Sequence, residues 1–324
     1  MISALLIVII SSSALVIFIR ASNGNNTCAA NYVEMKTSTI KSRWAIIALT
    51  LHSPRKSKQQ RDMDKRNNLL VKKLRPYAQY HDITFIFFSE HDIPANVVQG
   101  WRNLFKSVGN VQYVNTYHLG FNNKKKFGYK YMCKFYSLDV YNLLKDYDYY
   151  MRCDSDCFIE QLEYDMLQWF ENHDGGYGFA SRKIEAHNVT VKTMPPWIEN
   201  YMSSCSITPA SLMGYSIDVC FNFYNNWHIA KVSFFNRPDV QHFLKSVNSS
   251  GNFVNLRWGD STVQAYAVRL FMDTDQILQV PNFTYLHGSH NYRTSTYIGN
   301  NATWSDKKKI NKRLPFWKNT YSTT

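Results

Sequence analysis

Two apolar runs, Trp44-Ala-Ile-Ile-Ala-Leu-Thr50 and Asp82-Ile-Thr-Phe-Ile-Phe-Phe88, bracket a stretch in which Leu69, Leu70, Val71 and Leu74 are interleaved with Lys and Arg. Neither run alternates apolar with polar residues, so both read as strands covered on two faces, and residues 62–79 read as an amphipathic helix between them. A buried strand, a crossover helix and a second buried strand predict an α/β fold of the doubly wound type. A third short strand over 111–114 and a helix over 129–144 extend the alternation.

That helix leads into Tyr147-Asp-Tyr-Tyr-Met-Arg-Cys-Asp-Ser-Asp-Cys157, a largely aromatic run ending in two carboxylates one residue apart. The apolar flank predicts a buried strand, which puts Asp154 and Asp156 at the carboxyl edge of the sheet, where open α/β folds place their ligands. Hard oxygen ligands there suit Mg²⁺ or Mn²⁺, and such an ion would stabilise a sugar nucleotide's diphosphate as a leaving group. Two acids and a serine are also ordinary turn chemistry. Further on, Tyr177-Gly-Phe179 reads as a strand edge, Pro195-Pro196 as a chain break, and Asp260 as the N-cap of a helix over 261–271.

Residues 1–19 carry no charged side chain, and a helix of that length approaches the thickness of a bilayer's hydrocarbon core. They are expected to be a signal-anchor or a cleaved signal peptide, followed by a polar stem over 20–41, a catalytic domain over 42–300 and a basic tail over 301–324. Five Asn-x-Ser/Thr sequons, at Asn25, Asn188, Asn248, Asn282 and Asn301, are usable only in the secretory lumen. Six cysteines show no close zinc spacing. Cys153 and Cys157 read as packing residues, and Cys205 with Cys220 as the more plausible disulfide. The net charge of +13 is spread over separated runs at 55–66, 124–126 and 307–313 without a nucleic-acid-binding signature. It is read as solvated surface that also attracts a nucleotide diphosphate, with no nucleic-acid partner.

Several segments in order resemble the fungal α-1,2-mannosyltransferases of glycosyltransferase family 15. Gly128-Tyr-Lys-Tyr-Met-Cys-Lys-Phe-Tyr136 and Tyr149-Tyr-Met-Arg-Cys-Asp-Ser-Asp156 are similar to two of the family's motifs. Tyr177-Gly-Phe179, Cys220, Asn225-Asn-Trp-His-Ile229, Phe234-Phe235, Arg257-Trp-Gly-Asp260 and Tyr285-Leu-His287 follow in sequence. The resemblance implies a GT-A fold, a Rossmann-like mixed sheet flanked by helices, in a type II membrane protein of the Golgi, anchored through its N-terminal helix. It implies transfer of mannose from GDP-mannose to a saccharide acceptor, with Mn²⁺ or another divalent cation.

By the same resemblance, Asp154, Asp156, Glu185 and His287 are expected at the metal, with His290 a substitute for His287. Tyr129, Lys130, Arg152 and Asp154 are expected at the donor. His287 is read either as a ligand or as a structural histidine, and Trp258 and Trp227 either as acceptor-stacking or as core residues. The acidic motif here is Asp-Ser-Asp rather than the family's Glu-Pro-Asp, and His228 stands where the family has a glutamate suited to nucleophilic catalysis. The catalytic set is therefore read as Asp260, His228 and Arg152, with Asp260 either positioning the acceptor hydroxyl or capping its helix. Two alternatives stay open: a GT-A transferase using a UDP-sugar, and a carbohydrate-binding protein with a decayed catalytic site.

Overall fold

The computed structural model describes residues 4–11, 14–21, 41–50, 58–117, 128–288 and 292–295, and the chain divides into two compact units, residues 1–41 and 42–324. In the first unit β1 (Ala4–Ser11) and β2 (Ala14–Ala21) pair antiparallel, with Ala4 opposite Ala21. Residues 4–11 and 14–21 are thus strands rather than the helix expected there. Both strands are dense in Ile and Val, whose branched side chains favour strand over helix. No helix among the described residues is long and apolar enough to cross a membrane. The stem from residue 22 to 40, His290 and the tail beyond residue 300 lie outside the described residues, as do Asn25, Asn301 and the lysines at 124–126.

The second unit opens with the expected alternation: β3 (Arg43–Leu49), α1 (Lys58–Leu74), β4 (Asp82–Ser89), α2 (Ala95–Phe105) and β5 (Asn110–Asn115). Helix α1 stops five residues short of its expected end because Arg75 precedes Pro76, and a residue before proline is pushed out of helical geometry. Next come α3 (Gly128–Lys134), a π-helical stretch (Phe135–Asp139) and α4 (Val140–Leu143), one helix with a wider turn in its middle. It delivers the chain to β6 (Tyr149–Cys153), which turns through Asp154–Asp156 into β7 (Cys157–Leu162) and α5 (Met166–Asn172). Then follow β8 (Tyr177–Phe179), β9 (Arg182–Ile184), α6 (Asn188–Cys205), β10 (Phe221–Phe223), β11 (Trp227–Lys231), α7 (Val232–Phe235) and α8 (Pro238–Ser249). The unit closes with α9 (Asn252–Asn255), α10 (Asp260–Phe271), β12 (Ile277–Gln279), β13 (Phe283–His287) and β14 (Tyr292–Ser295).

The central sheet has the order β12-β8-β11-β6-β3-β4-β5. Strands β3 to β6 run parallel, β11 runs antiparallel to β6 and β8, and β12 returns parallel to β8, which is the mixed α/β sheet expected. Strand alternation divides the core. Tyr150 of β6 faces a cluster under α6, α8 and α10, whereas Met151 and Cys153 face one under α1, α2 and α5.

Pro195 and Pro196 do not break the chain but lie inside α6. The carbonyls they deprive of a partner belong to Val191 and Lys192, both exposed to water, while Met194, Pro195, Ile198 and Tyr201 are buried. Packing therefore outweighs the two lost hydrogen bonds. Cys205 and Cys220 are free thiols, the first exposed and the second buried, so the disulfide is not formed. Cys153 and Cys157 are buried packing residues, as read from the sequence.

On the amino edge of the sheet the imidazole of His81 is buried between two acids. Its Nε2 lies 3.0 and 2.9 Å from the Asp165 oxygens and its Nδ1 3.6 Å from Glu171, which also accepts 2.6 Å from Trp44 Nε1. Burial alone would lower the pKa of His81, but the bonds to Asp165 and Glu171 outweigh it and raise it from 6.5 to about 9. A group raised on folding adds stability that is fully present below its unfolded pKa and is lost as pH climbs through the folded one. Denaturation by urea is therefore expected to show about 3 kcal/mol less stability from this group at pH 10 than at pH 6. His81→Gln should remove that part of the slope; an unchanged slope in the variant would refute the assignment.

Candidate active site

The parallel strands β3, β4 and β6 end on one edge, and the Asp154-Ser155-Asp156 turn stands at the end of β6. Backbone bonds hold it there: Asp154 N donates to Asn226 O (3.0 Å), Cys157 N to Asp154 O (2.9 Å) and Gly288 N to Asp156 O (2.8 Å). Beside the turn is a cleft of about 160 Å³ bounded by Leu49 and Thr50 at the end of β3, Gln59 and Met63 of α1, Met132 of α3, and Tyr136. All three turn residues line it.

The two aspartates do different work. Asp154 receives Arg152 with both oxygens, at 2.8 Å from Nε and 3.0 Å from Nη2, while Arg152 Nη1 reaches Asp260 Oδ2 at 2.5 Å. The guanidinium also lies 3.6 Å from the centroid of the Tyr136 ring. Burial disfavours the Arg152 charge, but Asp154 and Asp260 hold its pKa well above the ordinary range. Burial raises the Asp154 carboxyl against the pull of Arg152. Asp156 instead meets His287, with Nε2 to Oδ2 at 3.4 Å, and His287 Nδ1 shares a 2.6 Å hydrogen bond with the Tyr224 hydroxyl.

Asp260 is not a cap. It is the first residue of α10, and its carboxylate is taken by Arg152 and by Asn225 Nδ2 at 3.0 Å, because pairing a buried guanidinium outweighs satisfying one backbone amide. Asn225 Nδ2 also donates to Gln264, whose amide donates to Tyr136 O and to the Tyr141 hydroxyl, extending the polar network below the site. His228 sits deeper. It is 0% exposed, with Nδ1 3.0 Å from Asn225 O and Nε2 3.0 Å from the Tyr150 hydroxyl. Burial first, then Arg152, lowers its pKa to about 3, so the ring is neutral and offers no exposed nucleophilic or basic atom.

Trp227 and Trp258, considered for acceptor stacking, are both core residues. Trp227 packs 4.3 Å from Phe283 on the opposite face of β11 from His228, and Trp258 donates 2.9 Å to Thr193 Oγ1 beside Trp197. With 0% and 1% of their surface exposed, neither presents a ring face to a sugar. Lys130 directs its ammonium to the carbonyl of Val254 in α9, while Tyr129 is 54% exposed beneath the Arg257 guanidinium. Arg257 holds φ at +56°, in the left-handed region that non-glycine residues rarely adopt.

Of the four expected metal ligands the structure joins Asp156 to His287, with Asp154 two residues away, and leaves Glu185 apart. Glu185 Oε1 accepts the amides of Ala186 and His187, and Oε2 accepts from Asn222 and Thr262, so its lone pairs tie the loop after β9 to β10 and α10. Among the described residues no three His, Cys, Asp or Glu converge as an ion cage. The donor types are nevertheless those a divalent cation takes: the Asp156 carboxylate and the His287 imidazole suit Mn²⁺, the Asp154 oxygens that receive Arg152 each keep a lone pair, and Tyr224 behind His287 is the kind of partner that orients a ligating histidine. Tyr136, Tyr224 and Asn225 carried no role in the sequence reading. Tyr136 and Asn225 lay in quoted motifs and Tyr224 did not, and which hydroxyl or amide turns toward the site depends on helix phase and strand register.

The sheet order and the acidic turn at its carboxyl edge are those of a GT-A glycosyltransferase fold. Core-mannan synthase A from Aspergillus fumigatus, solved in an Mn/GDP form, superposes with TM-score 0.64 at 17% identity over 87% of both chains. The mannosyltransferase Ktr4p of S. cerevisiae gives TM-score 0.65 at 17% identity over 82% of this chain and 78% of its own. This chain belongs to the glycolipid 2-alpha-mannosyltransferase family, whose model matches residues 107–310. The probable mannosyltransferase MNT3 of Candida albicans is 29% identical over 166 residues, 49% of this chain and 44% of that protein. The glycolipid 2-alpha-mannosyltransferase of Saccharomyces cerevisiae is 27% identical over 175 residues, 49% of this chain and 38% of that protein. The matched part thus spans less than half the length of these relatives.

Proposed function

We propose that this protein transfers mannose from GDP-mannose, in α-1,2 linkage, to a saccharide acceptor with the help of a divalent cation, preferably Mn²⁺. The observation that carries the reading is the Asp156–His287 pair beside a cleft at the carboxyl edge of the sheet. The names of the relatives and the Mn/GDP form of the Aspergillus synthase support it. Asp156 and His287, with Asp154, would hold the cation, which when bound neutralises charge developing on the departing diphosphate.

The chain's own residues set the rest. Arg152, enclosed by Asp154, Asp260 and Tyr136, orients Asp154 rather than reaching a phosphate. Because His228 is buried and neutral, the reading favours displacement on one face of the sugar. The bond from the anomeric carbon to the diphosphate oxygen breaks, the acceptor oxygen bonds that carbon, and the acceptor proton passes to the departing oxygen. A secretory-lumen location goes with this reading, supported by sequons whose Asn188 and Asn282 are exposed.

Incubating the purified chain with GDP- and UDP-sugars, mannose-terminated acceptors, and either Mn²⁺ or EDTA tests the proposal. GDP release from GDP-mannose that requires Mn²⁺ is expected. Turnover of a UDP-sugar would discard the mannosyl assignment, and sugar binding without turnover would support the carbohydrate-binding alternative.

A further inference from the structure

Arg66 lies in the buried stripe of α1 between Met63 and Leu70 and is 1% exposed. Its Nη2 donates 2.6 Å to the carbonyl of Cys153, its Nη1 donates 2.7 Å to Asn67 Oδ1, and its Nε meets no acceptor among the described residues. None of the ion pairs among the described residues includes it. Arg152, the other buried arginine near the turn, is enclosed by two carboxylates. Desolvating a guanidinium with no paired acid is unfavourable. The position is therefore expensive unless nearby negative charge offsets it.

Cys153 is the last residue of β6, and Asp154 follows it directly. We propose that Arg66 is a positioning residue for the metal-binding turn: through the Cys153 carbonyl it fixes the strand end from which Asp154 and Asp156 project. The Phe87 ring, 5.9 Å from the guanidinium carbon, and Asn67 hold the guanidinium in place. Helix α1 thereby supplies both a wall of the cleft, through Gln59 and Met63, and the clamp on its acidic edge. The inference rests on the metal-dependent reading above.

The test compares the full chain with Arg66→Met, which removes charge and donors at similar length, and Arg66→Lys, which keeps a charge and a donor for Cys153. Two readouts need no turnover: Mn²⁺ titration without donor, and amide hydrogen exchange in the metal-free protein. Arg66→Met is expected to weaken Mn²⁺ binding about tenfold or more. It should also speed exchange at the Asp154 and Cys157 amides while leaving β4 unchanged. Arg66→Lys should recover most of the affinity. If the methionine variant does not fold, Arg66→Gln is read by the same two criteria.

Parental Mn²⁺ affinity in the uncharged variants would overturn the inference, as would exchange accelerated throughout α1 and the sheet with affinity intact. A lysine variant as weak as the methionine one would also overturn it. A parent chain that neither binds Mn²⁺ nor releases GDP overturns the proposed function and this inference together. A parent that does both, beside an unaltered Arg66→Met, overturns this inference alone.

Discussion

Asp156→Asn is expected to lower GDP release from GDP-mannose by about a thousandfold, the loss that follows when a cation contributing several kcal/mol of transition-state stabilisation is no longer held. The substitution keeps the shape of the side chain and removes only its charge. Asp156 is the sharper target of the two turn acids because its carboxylate faces His287, whereas that of Asp154 is occupied by Arg152. The turn itself should survive, since the bond from Gly288 N is accepted by the Asp156 backbone carbonyl. A melting curve close to the parent's, with turnover lost at saturating Mn²⁺, is the expected pair of results. Parental turnover in this variant would remove Asp156 from the site.

Arg152→Met is expected to destabilise the fold by about 3–5 kcal/mol, because taking one partner from a buried ion pair leaves the other charge uncompensated. Most of that loss belongs to Asp260, whose side chain is 5% exposed, and less to Asp154, which at 23% is partly screened by water. Such a change should lower the melting temperature by about 5–8 °C in a domain of this size. The double variant Arg152→Met with Asp260→Leu should recover part of the loss, since an apolar pair can replace a buried ionic one. A single variant that melts with the parent would show that the triad of Asp154, Arg152 and Asp260 contributes little to stability.

The parallel half of the sheet was legible in the sequence because β3, β4 and β6 are covered on both faces and read as continuous apolar runs. The acidic turn was legible because its buried strand dictates where it projects. Long-range register was not. On β11, Trp227 and His228 point to opposite faces, and only the pairing of His228 with Arg152 decides which one approaches the polar network. Glu185 lies at a plausible spacing, yet Asn222, Thr262 and two local amides hold its carboxylate, and none of those contacts is visible in the sequence. The prolines of α6 were misread for a related reason: local preference forbids them, and packing of Met194, Ile198 and Tyr201 overrides it.

The wide turn at Phe135–Asp139 makes chain length, rather than residue type, the quantity that holds Tyr136 against Arg152. A π-helical turn carries one residue more than an α-helical turn, and each residue advances a helix by about 100° about its axis. Removing any one residue of the stretch would let the helix regularise and turn everything before the deletion against everything after it. Tyr136, whose hydroxyl accepts from Leu49 N and whose ring covers the guanidinium, could then keep one of those contacts only by surrendering the packing of Phe135 or Val140. A substitution within this segment alters one side chain's contacts; a change in its count alters those of every residue on one side of it.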